Sequence, residues 1–395
     1  MNSQVPEQDS VRERPKPPAC PRSIPPSLCL VLALTAVRLL TLQAWAGFSS
    51  MYVFGDSLSA VSGGGTQYPP PPGTSVDNYW EGRFSNGRVW VEYLADFQGI
   101  SLNTNNDLSC FGNGSPSIYR TLLFGNYYPP PDLATSLCIY WPACSDCFVC
   151  ALYLGTNSWS SYLPAMITNV TASVGLLYSQ GMRTVLIPSS VDVSLVPFFT
   201  YTLDEFGIGA VAPNGIPSLA AIRTGVIQYN AVLATAIGQL RAQYPDLTIY
   251  TPDFFTQFDF FLSHAGIYGM TTTSIDALED QALTDKSFTG SGADYVFWDY
   301  LHPTTKVHWY MATVAQQAMS SLRINRLSLQ DASYRLDLAN LPIGRTGTVE
   351  STSNLVPQTT WTACASIFVT NTTQTVFVST NGLGSRCFFR LNFPP

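Results

Sequence analysis

Tyr52-Val53-Phe54-Gly55-Asp56-Ser57-Leu58-Ser59 decides how this chain is read. Three β-forming residues run into a glycine, an acid and a serine. A strand that ends so abruptly presents a hydroxyl at the edge of a sheet. A serine hydroxyl is a weak nucleophile until a base accepts its proton. The chain has three histidines, and one lies far downstream in Phe297-Trp298-Asp299-Tyr300-Leu301-His302-Pro303-Thr304. Imidazole suits the task near neutral pH. An aspartate three residues earlier can hold the ring in the productive tautomer. Pro303 disfavours helix at His302 and fits the first position of a following helix, so His302 is expected at a helix start, facing a cleft. A Gly-Asp-Ser turn alone is often only a turn, and Asp-x-x-His-Pro alone is often only a helix cap. Together, in this order, they point to a serine hydrolase with Ser57 as nucleophile, His302 as base and Asp299 as its orienting acid.

The stretch between these blocks alternates strand-like and helix-like segments. Strands are expected at Met51–Phe54, Leu137–Trp141, Thr184–Pro188 and Leu247–Thr251, with a weaker one at Ile100–Asn103. Helices are expected at Val89–Phe97, Ala165–Ser179, Leu219–Ala242 and Thr304–Leu322. This alternation implies an α/β fold, with a parallel sheet covered by helices on both faces. Ligands then bind beyond the C-terminal ends of the strands, where Ser57 falls. After about Arg323 the pattern changes to short β-like runs separated by turn residues. A small all-β sandwich is expected over 324–395.

The composition narrows the function classes. The chain has 395 residues, 46% of them hydrophobic and only 11% charged, which supplies a large core and argues against disorder. The net charge is −7 and three lysines are present (Lys16, Lys286 and Lys306), so no basic stripe exists for nucleic acid. Arg12, Arg14, Lys16 and Arg22 precede an apolar run from Leu28 to Trp45, and Ala44-Trp45-Ala46 fits a small-x-small cleavage site. Residues 1–46 are therefore expected to be a signal peptide, with a secreted or extracytoplasmic product. An uncleaved membrane anchor is the alternative, weakened by Arg38 inside the run. Two of the nine cysteines fall in that segment. In an exported chain some of the remaining seven would pair, and Cys364 with Cys387 is one such pair.

At this point the chain resembles the GDSL or SGNH hydrolases, a family of esterases and lipases. Phe54-Gly55-Asp56-Ser57-Leu58-Ser59 is similar to the family's first block, and Asp299-Tyr300-Leu301-His302-Pro303-Thr304 to its last. Gly82-Arg83-Phe84-Ser85-Asn86-Gly87-Arg88-Val89-Trp90 resembles the stretch after the nucleophile in the plant-lipase-like branch. The resemblance spans roughly residues 50–322. It implies a three-layer α/β/α sandwich of the SGNH, flavodoxin-like type over 47–323, with a Ser57–His302–Asp299 triad. It also implies an oxyanion hole with three donors: the Ser57 N–H, a glycine N–H and an asparagine side chain. The glycine maps to Gly112, with Gly114 second. Two segments compete for the asparagine. Leu154-Gly155-Thr156-Asn157-Ser158 keeps Gly-x-Asn, whereas Trp141-Pro142-Ala143-Cys144-Ser145-Asp146 keeps the Trp-to-Asp spacing but has Ser145 in the asparagine position.

Cys144-x-x-Cys147-x-x-Cys150, with Cys138 upstream, invites a metal reading. The apolar neighbours Phe148, Val149 and Leu152 favour buried thiols or a local disulfide instead, and no metal is expected. His308 matches a histidine common in the family and reads as packing, while His264 reads as a loop residue. The expectation is an exported carboxylic-ester hydrolase that needs no cofactor, forms an acyl-enzyme and acts on a small ester, a lipid or an acetylated carbohydrate. The rival is a non-catalytic or weakly active surface or glycan binder on a degenerate fold of the same type. The tail resembles the small β-domains appended to exported bacterial enzymes, which would provide a cell-surface or glycan contact.

Overall fold

Every residue of β1 (Met51–Gly55) and β2 (Leu137–Trp141) is buried, which requires cover on both faces of the sheet. The two strands pair in parallel, and β2 continues to β3 (Thr184–Leu186) and β4 (Thr248–Tyr250), also parallel. The strand order is thus β1-β2-β3-β4. The protein is seen in a computed structural model that describes residues 48–61, 76–125, 129–153, 158–202, 218–319, 323–339, 341, 345–353, 360–371, 373–383 and 387–393. The signal peptide expected at 1–46 therefore lies outside the described residues.

Seven longer helices follow among the described residues: α1 (Trp90–Gln98), α2 (Ser115–Phe124), α3 (Ala143–Tyr153), α4 (Ser158–Ser179), α5 (Leu219–Gln243), α6 (Phe254–Ser263) and α7 (Thr305–Met319). One group packs α1 and α6 onto α7, and the other packs α2 onto α4 and α3 and α4 onto α5. The sheet lies between them, giving the three-layer α/β/α sandwich. The termini of α1 follow from sequence. Glu92 reaches back to the Val89 N–H at 2.9 Å, and Gly99 closes the helix at φ +67°. The helix expected from Ala165 starts earlier, at Ser158, with Pro164 tolerated inside it.

The edge of β1 differs from expectation. Ile100–Asn103 forms no strand; after a short 3-10 turn, Asp107 makes a single parallel bridge to Val53. The Leu108 N–H then donates to the Val53 carbonyl at 2.8 Å. Polar Asn103, Asn105 and Asn106 favour the turn over an extended ladder. A separate parallel pair, β5 (Thr272–Asp276) with β6 (Tyr295–Phe297), carries the chain to His302.

The C-terminal region contains two three-stranded antiparallel sheets. One has the order β10-β9-β12 (Thr362–Phe368, Thr346–Thr352, Phe388–Asn392), and the other β11-β8-β7 (Thr373–Ser379, Ser333–Ala339, Arg323–Gln330). Leu336, Leu338, Val349, Ile367 and Val378 are buried in a cluster continuous with the α/β core. Phe368 and Phe260 of α6 come within 6.0 Å, ring centre to ring centre. His264, expected to be a partnerless loop residue, stacks on Phe260 at 4.1 Å and so belongs to this contact. Cys364 and Cys387 are both free thiols, contrary to the expected pair. Cys364 sits at the bulge in β10 and directs its Sγ to the Val349 carbonyl at 3.2 Å.

Where α4 crosses α5, Gly225 lies directly against the indole of Trp159, and a Cβ there would overlap the ring. Gly225→Ala is expected to destabilise the protein by about 1–3 kcal/mol through overpacking, despite alanine's better helix propensity. A urea titration checks this: the midpoint should fall, with little change in slope.

Candidate active site

Ser57 lies two residues beyond β1, in a turn closed by the Ser59 N–H on the Asp56 carbonyl at 3.1 Å. β6 runs into the second turn of the site. There the Trp298 N–H donates to the His302 carbonyl at 2.7 Å, and the Thr304 N–H donates back to Val296 at 2.9 Å. Pro303 bridges Phe297 rather than opening the helix, and α7 begins at Thr305, so His302 is held in a turn and not at a helix start. The two turns meet. Ser57 Oγ lies 2.8 Å from His302 Nε2, and His302 Nδ1 lies 2.8 and 2.9 Å from the two carboxylate oxygens of Asp299. Asp299 Oδ1 also accepts the N–H groups of Leu301 and His302, both at 2.7 Å. Burial alone would raise the pKa of Asp299. The His302 charge and the hydrogen bonds from His302, Tyr79 and Leu301 outweigh it and hold the carboxyl below its ordinary range.

A cavity of about 220 Å³ opens beside Ser57 and His302. Gly112 lines it at φ +70°, a conformation that favours glycine. Among the described residues, the N–H groups of Ser57 and Gly112 have no hydrogen-bond partner. Of the two segments that competed for the third donor, Trp141–Asp146 is at the site: Ser145 lines the cavity. Asn157 and Gly155 lie outside the described residues. Gly114 lies behind Gly112 and does not line the cavity. A Cβ on Gly114 would come within 2.6 Å of Asp146 Oδ1, so Gly114 permits a close approach instead.

Much of the remaining lining is apolar: Phe148 and Val149 of α3, Val191, Val193 and Val196 after β3, and Leu301. This wall is tied down. The Ser190 N–H donates to Asn230 Oδ1 at 2.9 Å, and Asn230 Nδ2 donates to the Ser190 carbonyl at 3.1 Å. Arg223 joins Asp192 to Asp259.

Three buried carboxylates behind the site escaped the sequence reading. Asp56 accepts the N–H groups of Leu58 and Ser145, each at 3.1 Å. Asp107 accepts those of Val61 at 2.6 Å and Ser109 at 2.9 Å. Asp146 accepts the Ser115 N–H at 2.8 Å and the Tyr229 hydroxyl at 3.1 Å. Burial is the largest influence on each. It pushes their pKa values up to about 6, 7 and 6, against the lowering effect of the hydrogen bonds. Asp276 is pushed to about 8, by burial first and then by the charges of Glu279 and Asp299. Asn113 was also missed; its Nδ2 donates to the Gly55 carbonyl at 3.2 Å and ties the Gly112 loop to the end of β1. Only the spacing of Asp56 and Asp146 within their quoted blocks hinted at any of this.

Cys144, Cys147 and Cys150 lie buried along α3, where desolvation raises all three thiol pKa values. Among the described residues, no group of three or more His, Cys, Asp or Glu side chains is arranged to hold a metal ion. His308 is buried in the core, where its Nδ1 faces the Trp90 N–H at 3.3 Å. Burial, followed by the His302 charge, lowers its pKa to about 3, so it is neutral.

Fold and site together define an α/β protein with a serine, a histidine and an aspartate in hydrogen-bonded sequence at the C-terminal end of a parallel sheet. The chain belongs to the GDSL-like lipase/acylhydrolase family, whose members are serine ester hydrolases; residues 51–314 match that family. It is 23% identical to the thermolabile hemolysin of Vibrio parahaemolyticus over 304 residues, covering 69% of this chain and 64% of that protein. It is 22% identical to acetylajmalan esterase 2 of Rauvolfia serpentina, covering 66% of this chain and 87% of that one. Among solved structures, an acetyl xylan esterase aligns over 69% of this chain and 100% of its own, at 10% identity and a TM-score of 0.37.

The buried acids carry a pH signature. Unfolding returns each to an ordinary carboxylate value near 4. Between that value and about 6–8 the folded state therefore binds more protons than the unfolded state. Their contribution to stability is complete below the unfolded value and is lost as pH rises through the folded values. The melting temperature is expected to rise as pH is lowered from 8 to 5, which a thermal-melt series in constant ionic strength checks. Asp299 acts in the opposite sense, but only where pH falls through its own lowered value.

Proposed function

We propose that this chain is an exported carboxylic-ester hydrolase that works through a Ser57 acyl-enzyme. The observation that carries the reading is the continuous relay from Ser57 Oγ through His302 to Asp299, with 2.8 Å at each step. His302 Nε2 takes the hydroxyl proton as Ser57 Oγ attacks the ester carbonyl. Asp299 accepts the Nδ1 proton as a hydrogen bond, fixing the tautomer and stabilising the imidazolium. The carbonyl oxygen becomes an oxyanion that the Ser57 and Gly112 N–H groups would meet, with Ser145, whose side chain bonds Asp56, lining the same cavity as the third donor. His302 then protonates the leaving alcohol, and water releases the acyl group by the reverse sequence. A hydroxyl in place of the family's amide makes the third donor weaker, while the first two remain.

The valine wall supports an apolar acyl group longer than acetyl. A hydrocarbon chain laid along Val191, Val193 and Phe148 leaves water, whereas an acetyl group would leave that surface wet. The hemolysin and the plant esterase are relatives by family, and the substrate assignment here rests on this chain's own cavity. The basic and apolar pattern of residues 1–46 supports export, and residues 324–395 are assigned as an accessory β-module. Among the described residues no helix is long and apolar enough to cross a membrane. The retained relay favours an enzyme over a non-catalytic binder on a degenerate fold, where no chemistry would require all three groups to stay aligned.

Two measurements test the reading. A fluorophosphonate probe should label the purified protein, and Ser57→Ala should abolish labelling and cut ester hydrolysis by at least about 10⁴-fold. An unlabelled but folded wild-type protein would overturn it. In a series of p-nitrophenyl esters, kcat/KM should rise from acetate towards medium chains. Val193→Phe should lower the value for octanoate by roughly tenfold or more and leave acetate unchanged.

A further inference from the structure

The stretch from Tyr79 to Asn86 has no role in the relay, yet it touches the acid–base pair from several directions. Tyr79 Oη donates to Asp299 Oδ2 at 2.6 Å, and Tyr79 is only 3% exposed. An ionised carboxylate has about four lone-pair sites. In Asp299 two are taken by its own turn's N–H groups and one by the imidazole, and Tyr79 fills the fourth. Phe84 is fully buried and stacks on the His302 ring, with centroids 4.9 Å apart and planes at 26°. Tyr79 and Phe84 also meet edge to face at 5.4 Å. One turn therefore presses one aromatic side chain on the acid and another on the base.

The backbone between them is shaped for this. Glu81 adopts φ +47° and Gly82 φ +79°, which folds the chain back on itself. A non-glycine residue in that region costs of order 1 kcal/mol and persists only where its surroundings hold it. Here Arg83 bonds Glu92 of α1 at 2.8 Å through a nearly buried ion pair. Ser85 Oγ donates to the Pro303 carbonyl at 3.0 Å, and Asn86 Oδ1 accepts the Thr305 N–H at 2.9 Å. The segment is thus fastened to the chain just after His302 as well as to Asp299.

We propose that residues 79–86 form a clip that positions the Asp299–His302 pair, with the Tyr79 hydroxyl as the positioning donor on Asp299 and Phe84 setting the plane of the imidazole. The proposal rests on the triad reading. Tyr79 touches no substrate and acts through Asp299. Without the hydroxyl the carboxylate keeps only the donors of residues 301 and 302 and loses the one that reaches it from the 79–86 turn. Its charge is then no longer shared with a fourth donor and falls more fully on the imidazole, which must be unprotonated to act as base.

Tyr79→Phe keeps the ring and removes only the hydroxyl. The expected result is a kcat lowered about tenfold, the worth of one hydrogen bond to a charged group. KM for a p-nitrophenyl ester should be unchanged, and the acidic limb of the kcat/KM profile should move to higher pH. Phe84→Leu should lower kcat with KM retained and leave that limb in place, because it alters the ring's plane and not the carboxylate. A Tyr79→Phe protein with wild-type kcat and pH profile would overturn the proposal. So would one with a lowered melting temperature but an unmoved profile, since that is a purely structural role. Ser57→Ala, assayed alongside, separates the two claims. If it abolishes probe labelling while Tyr79→Phe is silent, the triad stands and the clip fails. If it retains labelling, the triad reading fails first.

Discussion

Asp56 is an almost fully buried carboxylate next to Ser57, at the inner edge of the cavity. Burial is costly for such a group, and its raised pKa records that cost. It is offset by two backbone N–H donors from different parts of the chain: Leu58 in the nucleophile turn and Ser145 in the first turn of α3. The acid therefore caps a helix from outside that helix, where the peptide dipoles favour a negative charge. Turn and helix become one unit, and the distance between the Ser57 N–H and Ser145 is set by a single side chain.

The same device recurs one layer out. α2 has Gly114 at its N-cap and no side chain of its own to cap it. Asp146 of α3 supplies the missing acceptor at the Ser115 N–H, and Gly114 has no Cβ because that carboxylate lies so close. Gly112 hangs between this fixed helix start and the Asn113 bond to β1. The candidate oxyanion donors at Ser57 and Gly112 are thus held by buried carboxylates and Asn113, the kind of preorganisation that electrostatic stabilisation requires. Surface ion pairs such as Arg88–Asp96 contribute little by comparison, because water screens them.

The C-terminal sheets are joined to this scaffold through apolar contact. Phe368 meets Phe260 and His264 at the end of α6, and buried side chains from both regions form one cluster. α6 packs on α7, the helix that follows His302. The β region therefore packs on the α6–α7 pair, whose second helix follows the His302 turn, and none of its described residues lines the cavity.

By itself the sequence determined the α/β alternation and singled out Ser57, Asp299 and His302 as the candidate residues that the fold brings together. Those features follow from local rules. A buried parallel strand must be apolar along its length, as in Leu137–Trp141, and a nucleophile needs a base of suitable chemistry. The sequence also located the β-rich tail by its short alternating runs. Its local rules misplaced Ile100–Asn103, where asparagines favour a turn, and paired Cys364 with Cys387, which are free thiols although both line one cavity. The choice of Ser145 at the cavity, the partners of Asp56 and Asp146, the valine wall and the Tyr79 bond to Asp299 were decided only by tertiary structure. Each joins residues far apart in the chain, and a carboxylate's partner is fixed by which backbone N–H groups burial leaves unpaired beside it, a property of the packed molecule that no local spacing encodes.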